Sequence, residues 1–118
     1  MSEPLQSLML ANLLDVFNER DADRRLQAIK RTYTDDVLFS DPDEVVTGHE
    51  AVTAKAQQIL DGAPGFVFQT SGPVYENHDM GYLAWTFGPE GAPPVVKGID
   101  ICFVENGLIA KIYTLLIA

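Results

Sequence analysis

The spacing of apolar residues changes once along this chain, from three-and-four to two, and that change dictates the fold class. Leu5, Leu8, Met9, Leu13, Val16 and Phe17 recur at helical spacing and predict a helix over residues 4–20. Leu10 and Leu14 widen its apolar face, so this helix is expected to be well buried. Asp21 or Asp23 can cap a second helix running to about residue 33 on an inner stripe of Leu26, Ile29 and Tyr33. A short strand over 37–40 stops at Asp41-Pro42-Asp43, because proline restricts the residue before it and has no N–H for a ladder. Thr47-Gly48-His49-Glu50 has the form of a capping box. A third helix follows to about residue 61, with Val52, Ala56, Ile59 and Leu60 inward and Gly62 in the left-handed C-terminal position.

From there the period is two. Strand segments are expected at 66–69, 74–75, 82–87, 95–104 and 108–117. Gly72-Pro73, a turn at Asn77-His78-Asp79, the breaker-rich loop 88–94 and a tight turn at Glu105-Asn106-Gly107 separate them. Three helices followed by a meander make an α+β domain, with the helices on one face of a mainly antiparallel sheet. The 118 residues fit a single domain, 1–118. The last two strands are apolar on both faces. Val96, Gly98, Asp100, Cys102 and Val104 oppose Ile99, Ile101 and Phe103, and Ile112, Thr114 and Leu116 oppose Ile109, Tyr113, Leu115 and Ile117. The helices can cover only one face, so the other is expected to meet a second copy, and a two-fold homodimer is the simplest closed arrangement.

Charge narrows the range of partners. A net charge of −9 repels nucleic acid and anionic membranes alike. Arg24, Arg25, Lys30 and Arg31 fall in one helical stretch, a candidate phosphate site that reads more readily as a solvated face. No apolar run approaches the roughly 18 residues of a membrane span. The first residues lack the basic flank of a signal peptide, and the one cysteine, Cys102, fits a reducing compartment, so a cytoplasmic protein is expected. His49 and His78 lie far apart without a ligand motif, and Asp41-Pro42-Asp43-Glu44 lacks the glycine and distal glutamate of a calcium loop, so no metal is expected. The chain has no phosphate loop, dinucleotide fingerprint or serine elbow, and no cofactor is expected.

Several motifs in order carry a resemblance. Tyr33-Thr34-Asp35-Asp36-Val37-Leu38-Phe39-Ser40-Asp41-Pro42 is followed by Gly48-His49-Glu50-Ala51-Val52, then Gly98-Ile99-Asp100-Ile101-Cys102-Phe103 and Asn106-Gly107-Leu108-Ile109. Together they resemble the nuclear transport factor two-like superfamily, in its SnoaL-like and ketosteroid isomerase-like branches. The resemblance implies a cystatin-like cone, in which three N-terminal helices and a curved antiparallel sheet enclose an apolar cavity. It implies that Asp41 stands where the isomerases carry the proton-moving aspartate, and Asp100 where they carry a neutral aspartic acid facing an oxyanion. Leu13 stands where their oxyanion tyrosine would be, which points away from steroid double-bond isomerisation.

The residues themselves support two readings each. Asp100, between Gly98 and Cys102 on a small apolar face, is costly to bury unless paired, hydrogen-bonded or protonated. It is a candidate acid or base, or a structural aspartate tied to a tyrosine or an amide. Asp41 is a candidate proton shuttle, or simply the residue that ends a strand. Leu13, Phe17, Phe39, Trp85, Phe87 and Cys102 are the expected lining for a small apolar ligand, although each aromatic equally suits ordinary core packing and Cys102 a small apolar filler. Tyr33, Tyr82 and Tyr113 are candidate phenol donors in place of the absent tyrosine, and read more readily as packed rings with their hydroxyls at the surface. Three functions remain open at this point: a cofactor-independent acid/base isomerase or cyclase acting on an apolar carbonyl compound, a ligand-binding protein without chemistry, and a protein–protein module using the outer sheet face.

Overall fold

Helix α1 (Ser2–Ala11) runs directly into a π-helical segment (Asn12–Phe17) in the computed structural model, which describes residues 2–117. The wider π turn brings Asn12, Leu13, Val16 and Phe17 to the inside together. Leu10 and Leu14 stay 38% and 39% exposed, so the buried stripe is narrower than the sequence suggests. Helix α2 (Ala22–Thr32) begins at Asp21, whose carboxylate accepts the Arg24 backbone N–H at 3.0 Å. It stops at Thr32 because Tyr33 is already extended, and β1 (Tyr33–Ser40) starts four residues before the expected strand. A short β2 (Val45–Thr47), not foreseen, pairs with the end of β1.

Helix α3 (His49–Asp61) is preceded by Gly48 at φ +92, with no side chain capping it. The chain therefore enters this helix through a glycine conformation and not through a threonine capping box. Gly62 closes it in a right-handed conformation (φ −78), not the left-handed one expected.

Strands β3 (Phe66–Thr70), β4 (Tyr75–Asn77), β5 (Met80–Pro89), β6 (Val96–Glu105) and β7 (Leu108–Ile117) complete a sheet of order β2-β1-β7-β6-β5-β3, with β4 also on β5. β1 runs parallel to β7 and the other pairs are antiparallel, so the sheet is mixed, curved and unclosed. Its order matches the α+β plan, apart from that one parallel pair.

One register shift matters for the interior. Val104 pairs with Ile109 but Phe103 pairs with Lys111, leaving Ala110 as an extra residue in β7. The bulge turns Ile109 inward, fully buried, where simple alternation puts it outside. Beneath α1, Met9 presses onto Gly81 so closely that a β-carbon there would lie 2.6 Å from the sulfur. That end of the cone is filled. On the outer face Ile99 and Ile101 are half-buried, and Tyr113, Leu115 and Ile117 are 38%, 51% and 44% exposed. Among the described residues, no helix is long and apolar enough to cross a membrane.

Candidate active site

The wide end of the cone holds a cavity of about 220 Å³. Leu13, Phe17, Phe39, Phe68, Trp85 and Phe87 form its apolar walls. Phe68 stacks on Phe87 (centroids 4.0 Å apart) and meets Trp85 edge-on at 5.2 Å, which fixes that wall. Asp41 and Asp100 both line this space, at different stations. Cys102 does not. It points inward from β6 but lies two residues nearer the filled end, opposite Gly81, and packs in the core.

Asp100 is 4% exposed and accepts three hydrogen bonds. The Trp85 indole N–H donates to Oδ1 at 3.0 Å and the Thr114 hydroxyl to the same oxygen at 2.8 Å. The Asn12 side-chain amide donates to Oδ2 at 2.9 Å, and the Tyr33 hydroxyl donates in turn to the Asn12 carbonyl oxygen. Trp85 reaches Asp100 because its partner across the strands is Gly98: a β-carbon there would sit 2.2 Å from the indole ring. Burial pushes the Asp100 carboxyl up from 3.8 to about 6, while the bonds from Thr114, Trp85 and Asn12 pull against that rise. The indole can only donate, so Oδ1 of Asp100 is an acceptor whether the carboxyl is ionised or neutral. Burial also pushes the Tyr33 phenol and the Cys102 thiol well above their ordinary ranges.

Asp41 is held by local bonds. Its Oδ1 accepts the backbone N–H groups of Asp43 (2.9 Å) and Glu44 (3.0 Å), and its Oδ2 lies 3.0 Å from the Lys55 ammonium. Lys55 also donates to Glu44 at 3.1 Å, while Asp43 stays 3.9 Å away. The Lys55 side chain is only 6% exposed and lines the cavity. Burial works against its charge, but Asp41 and Glu44 outweigh burial and leave its pKa above the ordinary value. The Asp-Pro turn is thus a strand-ending turn that also secures a buried cation at the mouth.

Sequence reading missed Asn12 and Lys55, and it placed the Tyr33 hydroxyl at the surface, where the structure buries it at 1% exposure. Both missed residues carried a signal. Asn12 sits three after Met9 and four before Val16, and Lys55 sits three after Val52 and four before Ile59. Each is a polar residue on an inward helical stripe.

Comparison with known proteins agrees with this geometry. The family model of the SnoaL-like domain matches residues 10–112. A proposed isomerase of the SnoaL-like family from Agrobacterium tumefaciens superposes with a TM-score of 0.90 at 19% identity, covering 100% of both chains. A proposed ketosteroid isomerase from Kribbella flavida gives 0.74 at 15% identity, over 98% of this chain and 79% of that one. A proposed polyketide cyclase from Sinorhizobium meliloti gives 0.73 at 16% identity, over 97% and 98%. No curated protein matches the chain. At these identities the superpositions establish the fold.

Proposed function

This chain belongs to the SnoaL-like domain family, and on that footing we propose that it is a cofactor-independent acid/base isomerase or cyclase acting on a small, neutral, apolar carbonyl compound. One observation carries the reading: a buried carboxyl, Asp100, lines an apolar cavity with its pKa lifted to about 6, close to working pH. Ionised, Asp100 takes a proton from the carbon next to the substrate carbonyl, and the C–H electron pair moves into an enolate. Protonated, it returns that proton to another carbon in an isomerisation, or to oxygen after ring closure in a cyclisation.

Lys55 is the cation of the lining and is suited to face the enolate oxygen. Asp41 then serves by holding Lys55, and not as a second proton carrier. Around that ammonium stand three carboxylates, Asp41, Asp43 and Glu44, a balance that disfavours an anionic ligand. A volume of 220 Å³ equals roughly seven waters and falls below the usual range of ligand pockets, which favours one or two rings over a steroid.

The test is proton exchange. Small cyclic ketones and enones in deuterated buffer should lose their α-protons faster with the protein than with Asp100→Asn or Asp100→Ala. Equal rates with all three proteins remove Asp100 from any such chemistry, and saturable binding without exchange supports a ligand-binding protein.

The outer sheet face, with Ile99, Ile101, Tyr113, Leu115 and Ile117 uncovered, supports a homodimer through that surface in a cytoplasmic protein. A monomer by sedimentation at micromolar concentration refutes that partner.

A further inference from the structure

Asp100 is buried, and the three side chains that bond it, Trp85, Thr114 and Asn12, are all neutral. Among the described residues, no Lys or Arg forms an ion pair with it. A carboxylate offers about four acceptor positions. Oδ1 takes two donors, from Trp85 and Thr114, and Oδ2 takes one, from Asn12. The fourth position, on Oδ2, is left to whatever occupies the cavity that Asp100 lines. A buried charge without a counter-charge is costly, and a donor that is itself charged relieves that cost best.

Two further features select the same kind of occupant. Phe17, Phe39, Phe68, Trp85 and Phe87 ring the cavity, and aromatic rings attract a cation brought near them. At the mouth the Lys55 ammonium is outnumbered by Asp41, Asp43 and Glu44, at 3.0, 3.9 and 3.1 Å. With Asp100 ionised, the charges around the cavity sum to a negative value. A neutral carbonyl compound fills this volume without answering the buried charge.

We propose that the cavity takes a second class of ligand, a small apolar monocation with at least one N–H, such as a protonated cyclic amine, whose N–H is donated to Oδ2 of Asp100 while its hydrocarbon lies against the aromatic walls. The inference goes beyond the proposed reaction and holds whether or not Asp100 carries a proton for a carbonyl substrate. Seated there, an amine covers the oxygen that is free to take such a proton, so it competes with a carbonyl compound for the site.

Binding of the cation requires an ionised Asp100, and burial pushes that carboxyl up to about 6, so affinity falls as the pH drops from 8 to 5. The other titratable or charged groups on the surrounding elements are few. The Tyr33 phenol on β1 and the Cys102 thiol on β6 are both pushed well up by burial. Lys55 of α3 stands with Asp41, Asp43 and Glu44 at the mouth. His49 of α3 has its Nε2 2.9 Å from the Thr34 carbonyl oxygen and does not line the cavity.

The experiment is an NMR titration of the labelled full chain at fixed ionic strength, following the Trp85 indole N–H. The probes are cyclohexylammonium, its neutral counterpart cyclohexanone and its anionic counterpart cyclohexanecarboxylate. At pH 8 the ammonium should bind saturably and about tenfold more tightly than the ketone, the worth of one charged hydrogen bond, and the carboxylate should not bind. At pH 5 the ammonium should bind several-fold more weakly, although it keeps its own charge, while the ketone should hold its affinity. Asp100→Asn should bring ammonium and ketone to equal affinity at pH 8. An ammonium that binds no tighter than the ketone, or equally well at pH 5 and 8, or equally well to the variant, overturns the proposal; the last result assigns its attraction to the net charge of −9. The two readings of the site fail separately. Exchange of the ketone's α-protons without ammonium binding removes this inference alone, and ammonium binding without exchange removes the reaction alone.

Discussion

Replacing Asp100 by Asn should make the protein more stable at pH 8, and the gain should shrink as the pH falls. The sign follows from the buried carboxyl. Its pKa rises from 3.8 to about 6 on folding, so between those values the folded state binds more protons than the unfolded one. Native stability therefore falls as pH rises through that window, and above it the whole cost of the buried charge is present. At about 1.4 kcal/mol per pKa unit that cost is on the order of 3 kcal/mol, roughly half of which develops between pH 5 and 8. Asparagine carries no charge and has the shape of the protonated acid. Its oxygen can accept from Trp85 and Thr114, as Oδ1 of Asp100 does.

Urea unfolding read by the fluorescence of Trp85, the only tryptophan, is the assay, with circular dichroism as a second probe. For a slope of about 1–2 kcal/mol/M, the midpoint at pH 8 should rise by about 1.5–3 M in the variant. Taking the difference between the two proteins at each pH cancels every other titrating group. Measurements stop at pH 5 because the net charge of −9 dwindles as carboxylates protonate. A difference that stays flat from pH 5 to 8 would falsify the buried, lifted carboxyl. A difference of the right slope but with the variant less stable throughout shows that the asparagine NH2 finds no acceptor in the site.

Gly98→Ala should cost about 1–3 kcal/mol, because the added carbon enters the space of the Trp85 ring; red-shifted fluorescence and a higher Asp100 midpoint should accompany the loss of the indole bond, and unchanged fluorescence refutes that placement. Lys55→Met should destabilise by about 3–5 kcal/mol at neutral pH, since it strands the nearly buried Asp41 carboxylate without its cation; a change under about 0.5 kcal/mol by urea unfolding means the pair is solvated. Ile101→Glu with Leu115→Glu should convert a dimer to a monomer by sedimentation without changing the circular dichroism of the fold, and a dimer that survives both changes lies on another surface.

The architecture was legible because it depends on periodicity, whereas the site depends on exceptions to it. Helical spacing followed by alternation is enough to order three helices and a meander, and it put Leu13 and Phe17 on one inward helical face, whereas a cavity shared with Phe39, Trp85 and Phe87 was implied by the resemblance and not by periodicity. Alternation failed at Ala110, where one inserted residue put Ile109 on the opposite face, and a bulge leaves no mark in a strand already apolar on both sides. Spacing also passed over Asn12 and Lys55, which lie on inward helical stripes and are buried. Their partners lie 88 and 14 residues away in sequence, Asp100 for Asn12 and Asp41 for Lys55, so neither pairing can be read from local pattern. A polar side chain survives on a buried stripe only if something distant satisfies it. The sharper rule for reading such a chain is therefore to treat each polar residue at an inward helical position as half of a pair, and to look for its complement among the acidic residues of inward strand faces. Applied here, that rule pairs Asn12 of the first helix with Asp100, whereas Lys55 finds Asp41 and Glu44 in the turn after β1, and the buried Arg25 of α2 finds Thr53 and Gln57 on α3.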